Sequence, residues 1–370
     1  MAARVPRPED DARFMARAVA LARRGLGRTS PNPPVGAVVV RGGHIVGEGW
    51  HRRAGGPHAE VVALRQAGAR ARGATLYVTL EPCSHHGRTP PCADAVIAAG
   101  VVRVVAAIGD PNPRVRGRGL RRLGAARIRT ETGVLAAEAG EVTMWWRHFV
   151  VRRRPYVLLK LAASLDGRIA TASGESRWVS GAPARRFVHA LRDRVDAVMV
   201  GAGTVLADDP ALTCRVRGGR DPLRVVVDGR LRIGPRARVV RQRSEAVTLV
   251  ATTPASSVRR RKAIAATGAE VLVLPGRNGR LRIAALLDAL GARGVVSILV
   301  EGGGDLAAAV LRERLVDRLL LVSAPRLLGG DARPMLGGLG IARLARTPRL
   351  AGSRVIRLGA DLLWEGAVQY

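Results

Sequence analysis

The stretch from residue 79 to residue 92 is Thr79-Leu80-Glu81-Pro82-Cys83-Ser84-His85-His86-Gly87-Arg88-Thr89-Pro90-Pro91-Cys92. It holds two of the three cysteines of the chain, and His58-Ala59-Glu60 lies upstream of it. One histidine and two cysteines are the nitrogen and sulfur ligands that zinc prefers, and a catalytic zinc site keeps its fourth position open. Glu60 then remains as a free carboxylate. The sequence therefore predicts a zinc site formed by His58, Cys83 and Cys92, with Glu60 beside it.

The order of these residues favours a hydrolytic site over a structural one. Zinc-dependent nucleobase deaminases carry H-x-E followed by P-C-x-x-C, and their glutamate transfers protons without binding the metal. Here eight residues separate the two cysteines, not two. A structural site closed by His85 or His86, or a pair of buried cysteines, is the alternative. Neither would explain why Glu60 lies next to the first ligand.

Length and composition are those of a globular α/β protein. The 370 residues exceed one ordinary domain, so two domains are expected. A hydrophobic fraction of 47% supplies sizeable cores, and 44 Gly with 21 Pro supply turns. No apolar run approaches the ~18 residues that span a membrane, and residues 1–15 lack the apolar segment of a secretion signal. Two of three cysteines are assigned to metal, so we expect no disulfide framework and a cytoplasmic location.

The formal net charge of +32 raises the question of a nucleic-acid partner. Lys160 and Lys262 are the only lysines, so the excess is arginine, scattered apart from short clusters such as 152–154 and 259–261. Aromatic residues make up 3% of the chain, which leaves few platforms on which bases could stack. We therefore expect no specific nucleic-acid partner. A positive field would also favour a phosphorylated small substrate.

Hydrophobic periodicity in the first half predicts alternating helices and strands. The predicted elements are a helix over 10–24, strands over 35–41 and 44–50, a helix over 58–69, a strand over 74–80, a helix over 92–99, a strand over 101–108, a short helix between the loop that begins at Asp110 and Gly133, and a closing helix over 138–151. His58 and Glu60 are then on the first turn of a helix, and Cys83 follows a strand. Cys92 begins a helix, where the helix dipole favours a thiolate. Open α/β sheets form their sites at such strand ends.

The second half begins after Arg152-Arg153-Arg154-Pro155, a charged, proline-containing segment that we interpret as the linker. The predicted elements are strands over 156–162, 197–200, 223–228, 247–252, 271–274 and 295–300, and helices over 183–192 and 306–314. Glu301-Gly302-Gly303-Gly304-Asp305 joins the last strand to the last helix, and a glycine loop before a helix N-terminus can bind phosphate. The loop does not match G-x-G-x-x-G, so an ordinary turn remains an alternative.

Both halves resemble the bifunctional riboflavin-biosynthesis deaminase/reductases over nearly the whole chain. The motifs of the first half are Pro31-Asn32-Pro33 with Val35-Gly36, Gly55-Gly56-Pro57-His58-Ala59-Glu60, the stretch over 81–92 and Asp110-Pro111-Asn112-Pro113. Those of the second half are Lys160-Leu161-Ala162-Ala163-Ser164-Leu165-Asp166-Gly167, Gly174-Glu175-Ser176-Arg177-Trp178, the stretch over 203–210 and Glu301-Gly302-Gly303. The resemblance implies an α/β protein of two domains. A cytidine-deaminase-like α/β/α domain would cover residues 1–151 and a dihydrofolate-reductase-like α/β domain residues 155–370.

The resemblance also implies roles for single residues. In the first domain His58, Cys83 and Cys92 would bind Zn²⁺, Glu60 would be the catalytic proton shuttle, and Asn32, His51, Arg88 and Thr89 would line the substrate pocket. In the second domain the implied substrate contacts are Lys160, Ser176, Arg192, Leu212, Arg215 and Glu301. The implied NADPH contacts are Ala163, Trp178, Thr204, Asp208, Gly229, Gly303, Gly304, Asp305, Leu306, Ala307, Ala308 and Ala309. Gly229 departs from the family, which often has a hydroxyl residue here, so one cofactor hydrogen bond is expected to be missing.

Some of these positions also have ordinary structural explanations. His51 could be only the end of a hairpin, and Trp178 could be a core residue. Arg192 and Arg215 could be solvated charges in so arginine-rich a chain. Lys160 is different, because a lysine in a chain that otherwise uses arginine indicates a need for a compact ammonium group.

The implied function is two successive reactions on one small molecule. The first would be zinc-dependent hydrolytic deamination of 2,5-diamino-6-(5-phosphoribosylamino)pyrimidin-4-one, and the second NADPH-dependent reduction of its ribosyl side chain to ribityl. Two alternatives stay open, a polynucleotide deaminase of the tRNA type with a basic appended domain and a non-catalytic binding protein on this fold. The cysteine spacing and the scarce aromatics disfavour the first, and the complete ligand set with Glu60 disfavours the second. We also expect a homo-oligomer that does not bind membranes.

Overall fold

The computed structural model describes residues 8–85, 90–113 and 115–370, with side chains from residue 10 onward. The chain divides into two compact units, Met1–Arg153 and Arg154–Tyr370. Within the described ranges, every helix is too short or too polar to cross a membrane.

The first unit is built around a five-stranded mixed sheet. Its elements are α1 (Pro8–Arg23), β1 (Gly36–Arg41), β2 (His44–Trp50), α2 (Ala59–Ala67), a 3₁₀ turn (Gly68–Ala71), β3 (Thr75–Val78), α3 (Cys92–Ala98), β4 (Arg103–Ala106), α4 (Arg118–Ala125), β5 (Arg129–Thr132), α5 (Ala136–Val142) and α6 (Met144–Arg152). The strand order is β2-β1-β3-β4-β5. β1 is antiparallel to β2 and β3, whereas β3, β4 and β5 run parallel.

Helices cover both faces of this sheet, because its strands bury side chains on both sides. α1 and α5 pack with Val38 and Val105 on one face. On the other face α2 lies so close to β2 that a Cβ atom on Gly49 would be 2.4 Å from the carbonyl oxygen of Ala59. Glycine is required at that crossing. The close approach holds the start of α2, which His58 precedes, against the sheet.

The predicted elements of this half match the structure in type, with three differences. The closing helix is two helices, α5 and α6, separated at Thr143, whose hydroxyl donates a hydrogen bond of 2.8 Å to Ala139 O. α2 begins at Ala59, so His58 precedes the helix and is not part of its first turn. β5 is absent from the predicted elements, because its sequence Arg-Thr-Glu-Thr has no apolar alternation.

The second unit is built around a larger sheet. Its elements are β6 (Tyr156–Ser164), β7 (Arg168–Ala170), α7 (Ala182–Arg194), β8 (Ala197–Gly201), α8 (Ala202–Asp208), β9 (Leu223–Val227), α9 (Arg238–Arg241), β10 (Thr248–Thr252), α10 (Val258–Ala265), β11 (Glu270–Val273), β12 (Gly276–Arg277), β13 (Arg280–Leu281), α11 (Ile283–Ala292), β14 (Ser297–Glu301), α12 (Gly304–Arg312), β15 (Arg318–Ala324), β16 (Arg333–Pro334), a 3₁₀ turn (Leu344–Arg346), β17 (Arg349–Leu358) and β18 (Asp361–Gln369). The nine-stranded sheet has the order β11-β10-β9-β8-β14-β6-β15-β18-β17.

Seven neighbouring strands of this sheet, from β11 to β15, are parallel, and β18 is antiparallel to β15 and β17. Ile298 and Val300 of β14 belong to the core beneath α11 and α12, whereas Val198 and Val200 of β8 belong to the core beneath α8 and α10. Helices therefore cover both faces, as parallel sheets require. The carboxyl ends of β6, β8, β9 and β14 lie at one edge, and the predicted contact residues of this half cluster there.

Differences from the predicted elements in this half lie at helix starts, in the C-terminal region and in the helices α9, α10 and α11, which were not predicted. α12 begins at Gly304, two residues before the predicted start, and α8 begins at Ala202, in a segment where no helix was predicted. The arginine cluster over 259–261 is part of α10, which the sequence did not predict. The strands β15, β17 and β18 were also not predicted, and β17 is an edge strand that is largely exposed.

Candidate functional site

Three potential metal ligands meet at the carboxyl end of β3. His58 precedes α2, Cys83 lies in the loop after β3, and Cys92 is the first residue of α3. Their ligand atoms all lie within 4.8 Å of one another. His58 Nδ1 is 3.1 Å from Cys92 Sγ and 3.6 Å from Cys83 Sγ. Two sulfurs and one imidazole nitrogen in such a cluster fit Zn²⁺ with a fourth position left for water or substrate.

The electrostatics of the two cysteines favour a thiolate. A hydrogen bond from Cys92 lowers the pKa of the Cys83 thiol to about 4, and the Cys92 backbone N–H also donates to Cys83 Sγ at 3.3 Å. The hydrogen bond with Cys83 and burial raise the pKa of Cys92. The thiolate is the form of cysteine that binds metal, so the site is prepared for a cation.

Glu60 lies in the first turn of α2 and is 4% exposed. Burial raises the pKa of its carboxyl group to about 7, because the charged form loses hydration. It does not belong to the ligand cluster found among the described residues. A carboxyl group with a pKa near neutrality can both accept and release a proton, which suits general acid–base chemistry.

Within the described part of the chain, His85 does not close the metal site as a fourth ligand. His85 is outside the ligand cluster, and its Nδ1 atom is buried without a hydrogen-bond partner among the described residues. His86 lies outside the described residues, as do Arg88 and Thr89, which were predicted to line the substrate pocket. The described geometry thus favours a three-ligand site over a structural site with His85 as fourth ligand.

The side chains of Asn32 and His51 are hydrogen-bonded to each other. Asn32 lies in the loop before β1, and His51, which follows β2, is 2% exposed. Asn32 Nδ2 is 3.1 Å from His51 Nε2, and His51 Nδ1 is 3.0 Å from Pro57 O. Burial lowers the pKa of His51. The ring of His51 also meets that of His58 edge-on, with ring centroids 5.3 Å apart, next to the metal ligands.

Sequence reasoning missed the role of Glu81, although this residue belongs to the deciding stretch. Its buried carboxylate accepts four backbone N–H groups from one segment, those of Asp110, Gly117, Gly119 and Leu120, at 2.9 to 3.4 Å. The contacts join the loop that carries Cys83 to the motif that begins at Asp110. Asp110 is itself buried, and burial raises its pKa to about 6. In the sequence, the contact between Glu81 and the segment after Asp110 was indicated only by the presence of the two motifs, 81–92 and 110–113, in one chain.

In the second unit a charged cluster surrounds Glu301 at the end of β14. Arg192 forms a two-point ion pair with it, with Nε–Oε1 at 2.6 Å and Nη2–Oε2 at 2.8 Å. Lys160 is the register partner of Glu301 on β6, and burial lowers the pKa of its ammonium group. His189, which was not predicted, interacts electrostatically with Arg192, Arg215 and Glu301, and burial and the two arginine charges lower its pKa. Arg192 is therefore a buried ion-pair partner and not a solvated charge.

The predicted contacts Ser176 and Asp208 lie together. Ser176 Oγ donates a hydrogen bond of 3.1 Å to Asp208 Oδ1, and Arg177 donates to Asp208 O. Trp178 is 58% exposed, so it is not a core residue, and the guanidinium of Arg185 lies over its ring at 4.6 Å. An exposed ring held by a cation is available to stack on a ligand.

The glycine turn after β14 lies against Thr204 of α8. Gly302 and Gly303 both have positive φ, and a Cβ atom on Gly303 would be 3.1 Å from Thr204 Oγ1. Gly303 immediately precedes α12, so free N–H groups of the first helical turn face this edge of the sheet. The glycine turn, the hydroxyl group of Thr204 and the start of α12 thus lie together, where they could bind a phosphate group.

Several predicted cofactor or substrate contacts have buried side chains. The side chains of Ala163, Leu212, Leu306, Ala307 and Ala308 are all less than 10% exposed, whereas Asp305 is exposed and Ala309 is half-buried. Leu212 packs in the core beneath α8. A ligand could reach the buried residues only through their backbone.

Position 229 requires a glycine, because the backbone of Gly279 lies too close for any side chain. A Cβ atom at this position would be 2.1 Å from the carbonyl oxygen of Gly279, in the turn between β12 and β13. No hydroxyl side chain can replace this glycine unless that hairpin moves. The expected loss of a hydrogen-bonding hydroxyl is therefore linked to the close approach of this hairpin.

Comparisons with known proteins agree with both sites. The family model described as cytidine and deoxycytidylate deaminase zinc-binding region matches residues 8–108, and that described as RibD C-terminal domain matches residues 155–363. The riboflavin biosynthesis protein RibD of Escherichia coli is 47% identical, covering 95% of this chain and 98% of that protein. That of Aquifex aeolicus is 41% identical over 96% of this chain and 98% of that protein.

Solved structures give the same result. The structure of Acinetobacter baumannii RibD, form 1, has a TM-score of 0.88 at 38% identity and covers 98% of this chain and 100% of that chain. A Thermotoga maritima diaminohydroxyphosphoribosylaminopyrimidine deaminase/5-amino-6-(5-phosphoribosylamino)uracil reductase has a TM-score of 0.86 at 36% identity, covering 98% and 99%. Fold and site define a protein that joins a zinc-binding deaminase region to a reductase region. The chain belongs to the RibD family of riboflavin biosynthesis proteins. The predicted α/β fold with two such regions is confirmed.

Proposed function

We propose that the first unit hydrolytically deaminates 2,5-diamino-6-(5-phosphoribosylamino)pyrimidin-4-one and that the second unit then reduces the ribosyl side chain of the product to ribityl. Membership of the RibD family makes the chain a bifunctional deaminase and reductase of riboflavin biosynthesis that uses Zn²⁺ and NADPH. The observation that carries the first step is the His58, Cys83 and Cys92 cluster with Glu60 buried beside it. The proposed domains are residues 1–151 and 155–370.

In the deaminase site, metal binding and proton transfer are assigned to different residues. His58, Cys83 and Cys92 would hold Zn²⁺, which supplies Lewis acidity and lowers the pKa of water. The carboxyl group of Glu60 would hold the proton released from water and pass it to the ring nitrogen and the leaving amine. Its burial excludes bulk water, so the proton stays at the site.

In the reductase site the residues bind and orient. NADPH, when bound, supplies the hydride that reduces the ribosyl C1′. Lys160 and Arg192 flank Glu301, so two cations face one carboxylate, and this net positive charge suits a phosphorylated substrate. Because Arg192 is fixed by two hydrogen bonds to Glu301, its position is set before a ligand arrives. Ser176, Leu212 and Arg215 remain predicted substrate contacts.

We further propose that the 2′-phosphate of NADPH binds in an arginine-lined cavity at the carboxyl edge of the sheet. The cavity has a volume of about 900 Å³ and is lined in part by Arg230, Arg277, Arg280 and Arg282. Its one acidic lining residue, Glu313, accepts the N–H groups of Ile283 and Ala284 at 3.1 and 2.9 Å. Arg230 Nη2 donates to Asn278 O at 3.2 Å, and the guanidinium groups of Arg277, Arg280 and Arg282 remain to meet an anion.

The position of this cavity relative to the predicted cofactor contacts supports the proposal. The hairpin of β12 and β13 touches Gly229, and Arg230 follows Gly229 directly. Gly229 lies two residues after the end of β9, and the neighbouring strand β8 leads into α8, which carries Thr204 beside the glycine turn. A dinucleotide that lies along this edge, with one end at the glycine turn, would place its other end at the arginines.

Arginine substitutions test this assignment. Replacing both Arg277 and Arg280 by alanine should raise KM for NADPH roughly tenfold or more, because charge-assisted hydrogen bonds are lost, and leave KM for NADH unchanged. Steady-state kinetics with both cofactors give the comparison. Arg259→Ala, on the exposed side of α10, is the matched control. Equal increases of KM for both cofactors would contradict a phosphate contact.

The remaining predictions concern partners and location. We propose a cytoplasmic enzyme that binds no specific nucleic acid, consistent with three cysteines free of disulfides and few aromatic residues. Scattered arginines should give weak DNA binding that disappears at moderate salt, which filter binding would measure. The predicted homo-oligomer is testable by analytical ultracentrifugation.

One assay tests the function as a whole. The purified protein is incubated with Zn²⁺ and the diaminopyrimidinone phosphate, with and without NADPH, and the products are identified by mass spectrometry. We expect the deaminated ribosyl product without NADPH and the ribityl product with it. Failure to release ammonia in the presence of zinc would refute the deaminase proposal.

A further inference from the structure

We propose that Glu81 is a positioning residue for the metal site: its buried carboxylate caps the N-terminus of α4 and thereby fixes the backbone of the loop that carries Cys83. The inference rests on the proposed deaminase function, for which Cys83 must bind Zn²⁺. It gives α4 a part in metal binding, although this helix adds no residue to the ligand cluster found in the described part of the chain.

The N-terminus of α4 takes its acceptor from a different part of the chain. Its N-cap residue is Gly117, which has no side chain to accept the free N–H groups of the first turn. Glu81 Oε1 accepts instead from Gly119 and Leu120, at 3.0 and 3.4 Å. Glu81 Oε2 accepts from Gly117 and Asp110, at 2.9 and 3.2 Å. Each carboxylate oxygen therefore holds two donors at a helix end whose dipole also favours a negative group.

The start of α4 also lies directly against the backbone of the metal loop. A Cβ atom on Gly119 would be 1.9 Å from the carbonyl oxygen of Pro82, the residue between Glu81 and Cys83. Only glycine leaves room for this approach. The N–H of Glu81 donates to Ile108 O at 2.9 Å, in the segment after β4. The chain that leads into Cys83 is therefore held by α4 on one side and by the β4 segment on the other.

The residues after this point are held by α3. Cys83 O accepts the N–H of Ala93 at 3.1 Å, and Cys83 Sγ accepts that of Cys92 at 3.3 Å. These bonds align the two cysteines, while Glu81 fixes the backbone that precedes them. Cys83 Sγ lies 3.6 Å from His58 Nδ1, so a shift of this backbone would change the distances between the ligand atoms. Groups that hold metal ligands in place strongly affect metal affinity for this reason.

Replacing Glu81 by glutamine tests the role of its carboxylate. The amide has nearly the same shape, but its NH₂ group cannot accept and would face backbone N–H donors. We expect Glu81→Gln to lower the affinity for Zn²⁺ roughly 10–100-fold, as for other groups that orient metal ligands. Competition of the full-length protein with a chelator measures this affinity. Glu138→Gln, at an exposed position on α5, is the matched control and should bind zinc like the wild type.

Two glycines of α4 give an independent test in which Glu81 is intact. Gly119→Ala should also lower the zinc affinity, because its methyl group would displace Pro82. Gly124→Ala is the matched control, since it is the same substitution in the same helix and no atom lies within 4 Å of the added Cβ atom. Equal zinc affinity of the two variants would show that the contact of α4 with the loop does not position Cys83, and the inference would be overturned.

A spectroscopic measurement separates positioning from simple stabilisation. When Co²⁺ replaces Zn²⁺, its absorption reports the thiolate ligands and their geometry. Glu81→Gln and Gly119→Ala, folded by circular dichroism, should have weaker thiolate-to-cobalt absorption than the wild type. A lower melting temperature with an unchanged cobalt spectrum and zinc affinity would mean that Glu81 only stabilises the fold, and would also overturn the inference. These readouts need no pyrimidine, so a wild type that binds zinc without deaminating would refute the proposed function alone.

Discussion

Glu60 shows how burial changes the chemistry of an ordinary side chain. An exposed glutamate is ionised at neutral pH, but burial in the first turn of α2, beside the cysteine cluster, raises the pKa of Glu60 to about 7. The residue is close to Cys92 and yet separate from the metal ligands among the described residues. Its identity follows from the sequence, whereas its proton affinity depends on the packing around it.

Glu60→Gln is therefore expected to separate metal binding from catalysis. The amide has the same shape but cannot carry the proton, so deamination should fall by roughly 10²–10⁴-fold, the usual contribution of a positioned acid–base group. Zinc content and NADPH oxidation should stay at the wild-type level. Ammonia release, metal analysis and absorbance at the NADPH band measure the three quantities. Cys83→Ala should instead lose most of the zinc, and normal deamination by Glu60→Gln would show that another group moves the proton.

Among the elements of the second unit, the turn between β6 and β7 is tied to a distant loop by one side chain. Asp166 accepts a hydrogen bond from Ser164 Oγ at 2.5 Å and from the backbone N–H groups of Leu328 and Gly329 at 3.1 and 2.8 Å. These bonds, that of Ser164 first, lower the pKa of Asp166 to about 2. The loop after β15 is thus held to the end of β6.

Asp166→Asn should destabilise the second unit in a pH-dependent way. The pKa of Asp166 in the folded protein lies below that of an aspartate in an unfolded chain. The carboxylate therefore stabilises the fold above the unfolded pKa, and this stabilisation is lost as the pH falls toward 2. The wild type should therefore melt above the variant at pH 7, and the gap should narrow from about pH 4 downward. Thermal unfolding at several pH values measures it. Asp288→Asn, on the exposed side of α11, serves as control, and a gap that does not change with pH would contradict the assignment.

At the scale of the whole molecule, two compact units meet at residues 153 and 154. The metal ligands and Glu60 lie in the first unit, and Lys160, Arg192, Thr204 and Glu301 lie in the second. Each unit has its own sheet covered by helices on both faces and its own core. Each can therefore bury enough apolar surface to fold alone.

Separated fragments should retain one activity each. A fragment of residues 154–370 should fold without zinc and oxidise NADPH in the presence of the deaminated substrate, and a fragment of residues 1–153 should deaminate without NADPH. NADPH absorbance and ammonia release, measured for each fragment with each substrate, give the result. A folded C-terminal fragment that fails to oxidise NADPH, while the full chain succeeds, would show that the reductase site needs residues from both units.

The sequence by itself determined the features that depend on local pattern. The spacing of His58, Cys83 and Cys92 around Glu60 predicted the ligand cluster, because few other functions need these residue types together. Apolar periodicity predicted most strands of both sheets, because a buried strand can be recognised from the apolar residues within a few consecutive positions. Edge strands such as β5 and β17 were not predicted, because their exposed residues carry little of that signal.

Only the tertiary structure decided the contacts between distant residues. Asn32 meets His51 across 19 positions, and Arg192 meets Glu301 across 109. Gly229 is a glycine because Gly279, on a separate hairpin, occupies the space of its side chain. Such contacts depend on how strands are ordered and how closely loops approach. A local pattern cannot encode them, because it reports that a residue is buried without reporting what it is buried against.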